Sequence, residues 1–328
     1  MIEPASIKAA LAILLPSIEE HRRSSKRPFV LGLSGLQGSG KSTWAATLSN
    51  CLSQDHGYNT RALSIDDLYR DHDDLTALRN NYPENRLLRT RGQPGTHDEA
   101  LAKRFFAELM GEMTGKDPRK DPKHNGSQAI IRWPSYDKSL HGGQGGRVPE
   151  DRWERVSLDL PLDILIFEGW CLGFQPVTDA EVTERWEQAM ATRIDNSASK
   201  EDTKSIFSTR TLTDHRLEDL QLINENLRRY CDTFAGPWRF DGFLHLNTED
   251  LSNVYRWRMD QERELRKRGP GMSDSEVVEF VKRYMPSYEL FLDHLQKGSL
   301  FHDIEGAHRK HVRITLDSER RVTSVAVI

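Results

Sequence analysis

Residues 35–42 read Gly35-Leu36-Gln37-Gly38-Ser39-Gly40-Lys41-Ser42. This stretch matches G-x4-G-K-[ST], the phosphate-binding loop (P-loop), in which glycines let several backbone N–H groups converge on one phosphate chain. The apolar run 29–33 predicts a buried strand before the loop, and residues 42–52 predict a helix after it, so phosphates would lie at a helix N-terminus. The loop therefore predicts nucleotide binding. The candidate nucleotide-binding residues are Gly35, Leu36, Gln37, Gly38, Ser39, Gly40, Lys41, Ser42 and Thr43.

Length and charge limit the classes of protein. The chain has 328 residues, a net charge of -4 and a mean hydropathy of -0.67. That length allows one large α/β domain or two small ones. The charge gives no basic field for nucleic acid, and no apolar run reaches membrane-spanning length, so neither nucleic acid nor membrane is an expected partner. The sequence indicates no obligate protein partner.

The number and spacing of the cysteines indicate in which cellular compartment the protein is expected. Cys51, Cys171 and Cys231 are isolated from one another, which indicates neither a zinc site nor a disulfide framework. A reducing compartment fits this usage, so we expect a cytoplasmic location, with a nuclear one also open. The apolar stretch 9–15 lacks a signal peptide's basic region and cleavage site, and predicts an amphipathic helix over 5–22.

Strands that alternate with helices predict an α/β fold of the P-loop NTPase type, with a mostly parallel sheet and helices on both faces. We find no repeat and no long linker, so residues 1–328 are predicted to form a single domain. Beyond the first strand, further strands are expected at 60–65, 160–167 and 242–246, with a C-terminal hairpin at 311–316 and 321–327. Helices are expected at 101–113 and, as a lid, at 254–268.

Three other segments have distinctive composition. Residues 116–128 are polar and predict a surface loop. Residues 187–214 are poor in apolar side chains and predict a mobile insertion. Residues 273–276 form a capping-box pattern, which predicts one helix whose apolar positions run from Val277 to Met285.

Acidic residues follow two of the predicted strands. Glu168 ends a buried apolar run, the place where P-loop enzymes handle magnesium, so Ser42 and Glu168 are candidate metal ligands. Asp66 and Asp67 follow the second strand, where a carboxylate can accept the proton of a substrate hydroxyl. A solvent-facing acid and an Asp-stabilised turn are the structural alternatives. Because successive residues of an extended strand end point to opposite sides, the two aspartates should have different roles.

Two polar loops, at 91–98 and 134–139, could hold an anionic substrate, since arginine binds carboxylate and phosphate bidentately. On the predicted lid helix, Arg256, Asp260 and Arg263 share a face. Such a face is either a salt-bridged solvent surface or a set of arginines that closes over a transferring phosphate.

The motifs, in order, resemble those of the D-glycerate 3-kinase family, and in particular its fungal ATP-dependent kinase branch. They lie at 35–43, 64–69, 91–98, 136–139, 167–174, 254–258, 271–274 and 283–288. The resemblance covers nearly the whole chain and implies a P-loop kinase fold related to uridine kinase, pantothenate kinase and phosphoribulokinase. Compared with the plant-type enzyme, the chain is expanded at 116–127 and has extra polar residues at 187–214.

The resemblance also assigns roles. It implies that Asp66 is the general base, that Glu168 holds magnesium, and that arginines of the lid helix cover the site. The candidate catalytic residues are Asp66, Lys41 and Arg256. The candidate substrate-binding residues are Asp67, Tyr69, Arg91, His97, Asp98, Tyr136, Lys138, Arg258 and Arg263.

The leading hypothesis is a kinase that uses ATP and Mg²⁺ to phosphorylate a hydroxyl of a small acid, with D-glycerate as the favoured acceptor and 3-phosphoglycerate as product. One alternative is a kinase of a pantothenate-, uridine- or sugar-like acceptor. Another is a non-catalytic ATP-binding protein, which would need neither Asp66 nor a polar acceptor loop.

Overall fold

Strands and helices alternate along the chain in the computed structural model, which describes residues 2–111, 130–198, 206–267, 269, 271–304 and 309–328, without the side chains of 195–198. The strands are β1 (Phe29–Gly35), β2 (Thr60–Ser64), β3 (Ile130–Trp133), β4 (Tyr136–Asp137), β5 (Gly146–Arg147), β6 (Glu154–Ser157), β7 (Ile164–Gly169), β8 (Gly242–Asn247), β9 (Lys310–Leu316) and β10 (Val322–Val327). The helices are α1 (Pro4–Ser24), α2 (Lys41–Gln54), α3 (His72–Asn81), α4 (Glu99–Met110), α5 (Asp179–Ala198), α6 (Leu217–Tyr230), α7 (Asn253–Arg266), α8 (Asp274–Lys282) and α9 (Met285–Lys297).

The main sheet has six strands in the order β10-β9-β8-β1-β7-β2. Neighbouring strands of this sheet are parallel except for β9 and β10, which form an antiparallel hairpin. The predicted P-loop fold, with a mostly parallel sheet and a C-terminal hairpin, is confirmed. The pairs β3–β6 and β4–β5 form two small ribbons that the sequence analysis did not predict.

The central strands of the sheet are apolar because they are buried on both faces. Every residue of β1, β7 and β8 is buried, so the sheet must be covered on both of its faces. Helix α2 packs on β1, β2 and β7, while α1 packs on β1, β9 and β10. Buried apolar side chains form one cluster that includes Leu31, Phe167 and Phe243. The apolar runs at 29–33 and 242–246 were therefore correctly interpreted as buried strands, whereas the run predicted at 160–167 becomes a strand only from Ile164, and Leu160 is exposed.

The helix predicted to run from residue 274 to Met285 is in fact two helices. The capping box is present, because Ser273 and Glu276 exchange hydrogen bonds at the start of α8. Helix α8 ends at Lys282, and Pro286 lies in the first turn of α9. Proline has no N–H and its ring clashes with the carbonyl four residues before it, so the helix breaks there.

The insertion predicted at 187–214 is partly regular structure. Residues 187–198 continue α5, and residues 187–194 are exposed or half-buried, so the paucity of apolar residues marks a helix at the surface rather than an irregular loop. Near the other end, Tyr255 Oη donates to the Ser208 carbonyl at 2.5 Å, and Thr211 Oγ1 donates to Glu289 Oε1 at 2.6 Å. Residues 199–205 and the predicted loop at 116–128 lie outside the described residues.

Among the helices in the described part of the chain, none is both long enough and apolar enough to cross a membrane.

Candidate active site

Three neighbouring strands bring the candidate residues to one edge of the sheet. Glu168 on β7 is level with Leu33 on β1 and with Ser64 on β2. The P-loop begins where β1 ends, and Asp66 follows two residues after Ser64. Because the carboxyl ends of parallel strands face the ligand crevice, this edge is the expected place for a nucleotide and its acceptor.

The P-loop backbone requires glycine at two positions. Gly38 has a φ of 77° and Gly40, the residue before α2, has a φ of 91°, a region that side chains disfavour. A Cβ on Gly38 would lie 2.7 Å from the backbone carbonyl carbon of Trp257. The loop therefore packs directly against α7, the predicted lid helix.

The loop has the features that a phosphate chain requires. The first N–H groups of α2 have no acceptor within the helix. Lys41 Nζ lies beside the loop and donates to the Leu36 carbonyl at 3.3 Å. Burial lowers the pKa of Lys41, against the opposing effect of Glu168 and Asp66. Ser39 Oγ is buried with no hydrogen-bond partner among the described residues. These donors fit a bound phosphate.

The two predicted metal ligands, Ser42 and Glu168, are in hydrogen-bond contact. Ser42 Oγ donates to Glu168 Oε1 at 3.0 Å. Burial raises the pKa of Glu168, and Lys41 opposes that rise. The described residues hold no cluster of three or more metal-ligating side chains. A hydroxyl and one carboxylate fit Mg²⁺ nonetheless, because this ion usually keeps several waters and binds phosphate oxygens.

Asp66 and Asp67 lie in a short 3-10 turn, Ile65–Leu68, rather than at an extended strand end. The reasoning from strand alternation was therefore wrong, but the two side chains still diverge. Asp67 accepts the N–H groups of Ser64 at 3.3 Å and of Tyr136 at 3.4 Å. Asp66 Oδ2 instead lies 2.5 Å from Lys138 Nζ.

The surroundings shift these two carboxyl groups in opposite directions. Burial by itself would raise the pKa of Asp66, but the adjacent Lys138 ammonium outweighs it, so the pKa is lowered. Burial raises the pKa of Asp67 to about 6, although the Ser64 and Tyr136 N–H groups oppose the rise. At neutral pH Asp66 is the carboxylate that is both ionised and paired with a cation.

An aromatic cluster adjoins Asp66. The Tyr69 hydroxyl lies near the Asp66 carboxylate and helps to lower its pKa, and the Tyr69 ring stacks on His97 with centroids 4.3 Å apart. Tyr136 packs edge-on against Tyr69 at 5.3 Å, and its buried hydroxyl has no partner among the described residues. These side chains form one wall beside the carboxylate.

His97 is held neutral. Burial lowers the pKa of His97 to about 3. Tyr230 Oη accepts the N–H groups of Gly95 at 2.7 Å and of His97 at 2.9 Å, so its own proton points to His97 Nδ1, also at 2.9 Å. This arrangement leaves the proton of His97 on Nε2, which is buried without a partner among the described residues. Tyr230 was not among the sequence candidates, because nothing in its local sequence marks it.

Two other acceptor candidates shape the loops. Asp98 Oδ1 caps α4 through the Leu101 N–H at 2.9 Å, and Oδ2 pairs with Arg147 at 2.7 Å, so both oxygens are engaged. Arg91 Nη1 donates to the carbonyls of Gly143 at 2.9 Å and Gln144 at 2.5 Å. Asp98 thus has a structural role, which the sequence did not indicate.

The arginines of α7 differ from one another. Arg258 pairs with Glu262 at 2.7 Å and lies over the Phe280 ring. Arg263 pairs with Asp274 at 2.7 Å on the surface, as the salt-bridge alternative predicts. Arg256 is exposed and forms no ion pair with any of the described residues; it donates only to Asn253 Oδ1, at 3.4 Å. Arg256 therefore remains available as a lid arginine.

A P-loop between a buried parallel strand and a helix, beside acids at the ends of two neighbouring strands, defines the P-loop kinase class. No family model matches the chain. It is 32% identical over 289 residues, 88% of this chain and 90% of the relative, to the uncharacterized kinase mug58 of Schizosaccharomyces pombe. It is 32% identical to the probable ATP-dependent kinase TDA10 of Saccharomyces cerevisiae, covering 92% of this chain and 88% of that one.

Two further relatives carry the same name as the predicted family. The chloroplastic D-glycerate 3-kinase of Arabidopsis thaliana is 31% identical, over 81% of this chain and 48% of its own length. The solved D-glycerate 3-kinase of Cryptococcus neoformans is 29% identical with a TM-score of 0.79, covering 99% of this chain and 100% of that chain. The chain belongs to the D-glycerate 3-kinase family and is an ATP-dependent small-molecule kinase, which confirms the resemblance drawn from its motifs.

Proposed function

We propose that the chain uses ATP and Mg²⁺ to phosphorylate D-glycerate on its 3-hydroxyl, giving 3-phosphoglycerate and ADP. The observation that carries this proposal is the Asp66–Lys138 pair at 2.5 Å, beside the P-loop. A hydroxy acid presents a hydroxyl to be deprotonated and a carboxylate to be bound, and this pair offers a base for the first and a cation for the second.

Each residue has a distinct role in the proposal. Bound Mg-ATP supplies the phosphoryl group, held by the N–H groups of the P-loop, with Ser42 and Glu168 on the metal. Lys41 neutralises charge on the phosphate oxygens, since an ammonium fixed in a half-buried site acts strongly in the transition state. Asp66 accepts the proton of the attacking hydroxyl, and Arg256 covers the site from α7.

The acceptor wall supports a small polar substrate. The Lys138 side chain is 56% exposed, so part of its ammonium can bind a carboxylate while it remains beside Asp66. Tyr69, Tyr136 and the neutral His97 add hydroxyl and N–H groups to the wall. Arg91 and Asp67 position these elements through backbone contacts.

The test is acceptor-stimulated ADP release by the purified chain, with D-glycerate, L-glycerate, uridine and pantothenate compared at equal concentration. D-Glycerate should stimulate release most, and NMR of the product should place the phosphate on the 3-hydroxyl. The K41A variant is the control for contaminating kinases. A stronger response to uridine or pantothenate would keep the kinase and reject the glycerate assignment. The scattered cysteines also favour a cytoplasmic location, which microscopy of a tagged chain tests.

A further inference from the structure

A cavity of about 200 Å³ lies near the wall formed by Tyr69, His97 and Tyr136, and none of these three residues lines it. Leu75 and Leu88 form its buried apolar side, and Arg79, Arg89 and Arg91 supply its cations. Neither the P-loop nor Asp66 or Lys138 lines it. A cavity of this size has room for several waters or for a small metabolite.

The cavity is positively charged and has no counter-charge. No aspartate or glutamate lines it. Arg79, Arg89 and Arg91 form no ion pair within the described part of the chain, whereas Arg104 and Arg229 each pair with a glutamate. Arg79 and Arg91 are partly buried. Several guanidinium groups that lie close together and are partly removed from water, with no acidic partner, destabilise the free protein. A bound anion would offset this unfavourable free energy.

Hydrogen bonds hold two of these arginines in place. Arg79 donates to Gln144 Oε1 at 2.9 Å and to Thr76 Oγ1 at 2.7 Å. Arg91 Nη1 is fixed on the carbonyls of Gly143 and Gln144. A guanidinium group has five N–H donors, so both residues keep further donors for a ligand.

Two glycines also line the cavity. Gly142 and Gly143 have φ angles of 63° and 90°, and a Cβ on either would meet no atom within 4 Å. The positive φ angles by themselves favour glycine at both positions, and the open space means that a ligand could approach the backbone there. A backbone without side chains can approach a ligand closely, as it does around phosphates.

We propose that this cavity is a second anion site, which binds a small phosphorylated acid through its phosphate or carboxylate groups. It lies beyond the acceptor position, because two rings separate it from Asp66: the Arg91 guanidinium lies 5.8 Å from the Tyr136 centroid, and Tyr136 packs on Tyr69. Gly142 follows Lys138 by four residues. The site does not depend on glycerate being the acceptor.

The experiment is calorimetric titration of inorganic phosphate, and separately of 3-phosphoglycerate, into the chain. Saturating Mg-AMP-PNP fills the P-loop, so phosphate cannot bind there. The test variants are R79Q/R89Q and the single R89Q, because Arg89 is exposed and its one hydrogen bond within the described part of the chain is a long one, 3.5 Å, to the Pro83 carbonyl. The control is R152Q/R155Q, which removes the same charge from two exposed arginines elsewhere, neither ion-paired with a described residue.

We expect R79Q/R89Q to weaken binding of both probes tenfold or more, R89Q to weaken it severalfold, and the control to stay within twofold of the parent chain. Unchanged binding in R79Q/R89Q would overturn the proposal. An equal loss in the control would also overturn it, since the effect would then be a long-range field. So would complete displacement of phosphate by saturating D-glycerate, because the cavity would then belong to the acceptor site.

Discussion

Replacing Lys138 by methionine should raise the pKa of Asp66 and move the acid limb of the pH–rate profile to higher pH. Lys138 Nζ lies 2.5 Å from Asp66 Oδ2 and is the charge that outweighs burial of the carboxyl group. The general base must be ionised, so the rate is lost as pH falls through its pKa. A higher pKa therefore means that the loss begins at higher pH.

The size of the expected pKa shift of Asp66 depends on its distance from Lys138 and on the exposure of both side chains. Two unit charges ~4 Å apart at an effective dielectric of about 20 attract by roughly 4 kcal/mol, or about three pKa units. The Lys138 side chain is 56% exposed and the Asp66 side chain 27%, so solvent screening reduces that value. We expect a rise of about one to two units, which would move the limb upward from its position below the ordinary aspartate value.

The assay is kcat/KM for the acceptor between pH 4.5 and 8, in the parent chain and in K138M. Circular dichroism at each pH separates unfolding from titration. K138R is the matched control, because it keeps a cation in reach of Asp66. Its acid limb should stay near that of the parent, although its KM for the acceptor can change.

The assignment of Asp66 as the general base would be refuted if Asp67 proved to be the group that titrates. Burial raises the pKa of Asp67 to about 6. A parent limb near pH 6 that disappears in D67N and does not move in K138M would make Asp67 the titrating base. If Asp66 is the base, D66N should lower kcat by about a hundredfold or more with little change in ATP affinity. D67N should then have the smaller effect.

Further predictions concern the nucleotide site and the fold. K41A should abolish phosphoryl transfer and weaken ATP binding, measured by ADP release and calorimetry; normal turnover would reject the P-loop assignment. E168Q should lower turnover and recover part of it at raised Mg²⁺, and a rate insensitive to both would reject the metal role. Burial lowers the pKa values of His97 and His311 to about 3 and about 4, and that of His245 well below its usual range. Unfolded histidines take up protons below about pH 6.5 and these do not, so each should lower the free energy of unfolding by about 1.5 kcal/mol between pH 6.5 and 5. The buried carboxyl groups of Asp67 and Glu289, whose pKa values are raised to about 6 and about 7, act in the opposite direction, so the net fall measured by urea titration should be smaller than the sum. H311Q should reduce that fall, and an equal slope in the parent chain and H311Q would contradict the assignment.

Local sequence patterns predict the frame of the fold well. The P-loop, the buried runs at β1, β7 and β8, and the capping box of α8 each depend on neighbouring residues, and the structure has all of them. The break between α8 and α9 was also local, since Pro286 marks it, but the apolar spacing through Met285 hid it. A helical period continued by chance across the break, and the proline should have taken precedence.

Local sequence patterns could not predict which residues pair with one another in the site. Asp66 and Lys138 are 72 positions apart, so no spacing rule connects them, and the motif resemblance named both residues without pairing them. The same holds for Asp98 and its partner Arg147, which lie 49 positions apart and which no local pattern pairs. An extended strand end at Asp66 was assumed where a 3-10 turn occurs, and turns of this kind depend on tertiary contacts as much as on sequence.

One segment, at 136–147, contacts several of the proposed acceptor-binding residues. It supplies Lys138 to Asp66, its Arg147 anchors Asp98, and its carbonyls hold Arg91. The P-loop contributes none of these contacts. Acceptor choice can therefore change through this segment without loss of the nucleotide site, because the two are built on different elements that meet only at the sheet edge. Exchanging the segment with that of a relative of different acceptor preference should thus alter KM for the acceptor and leave the Kd for ATP unchanged.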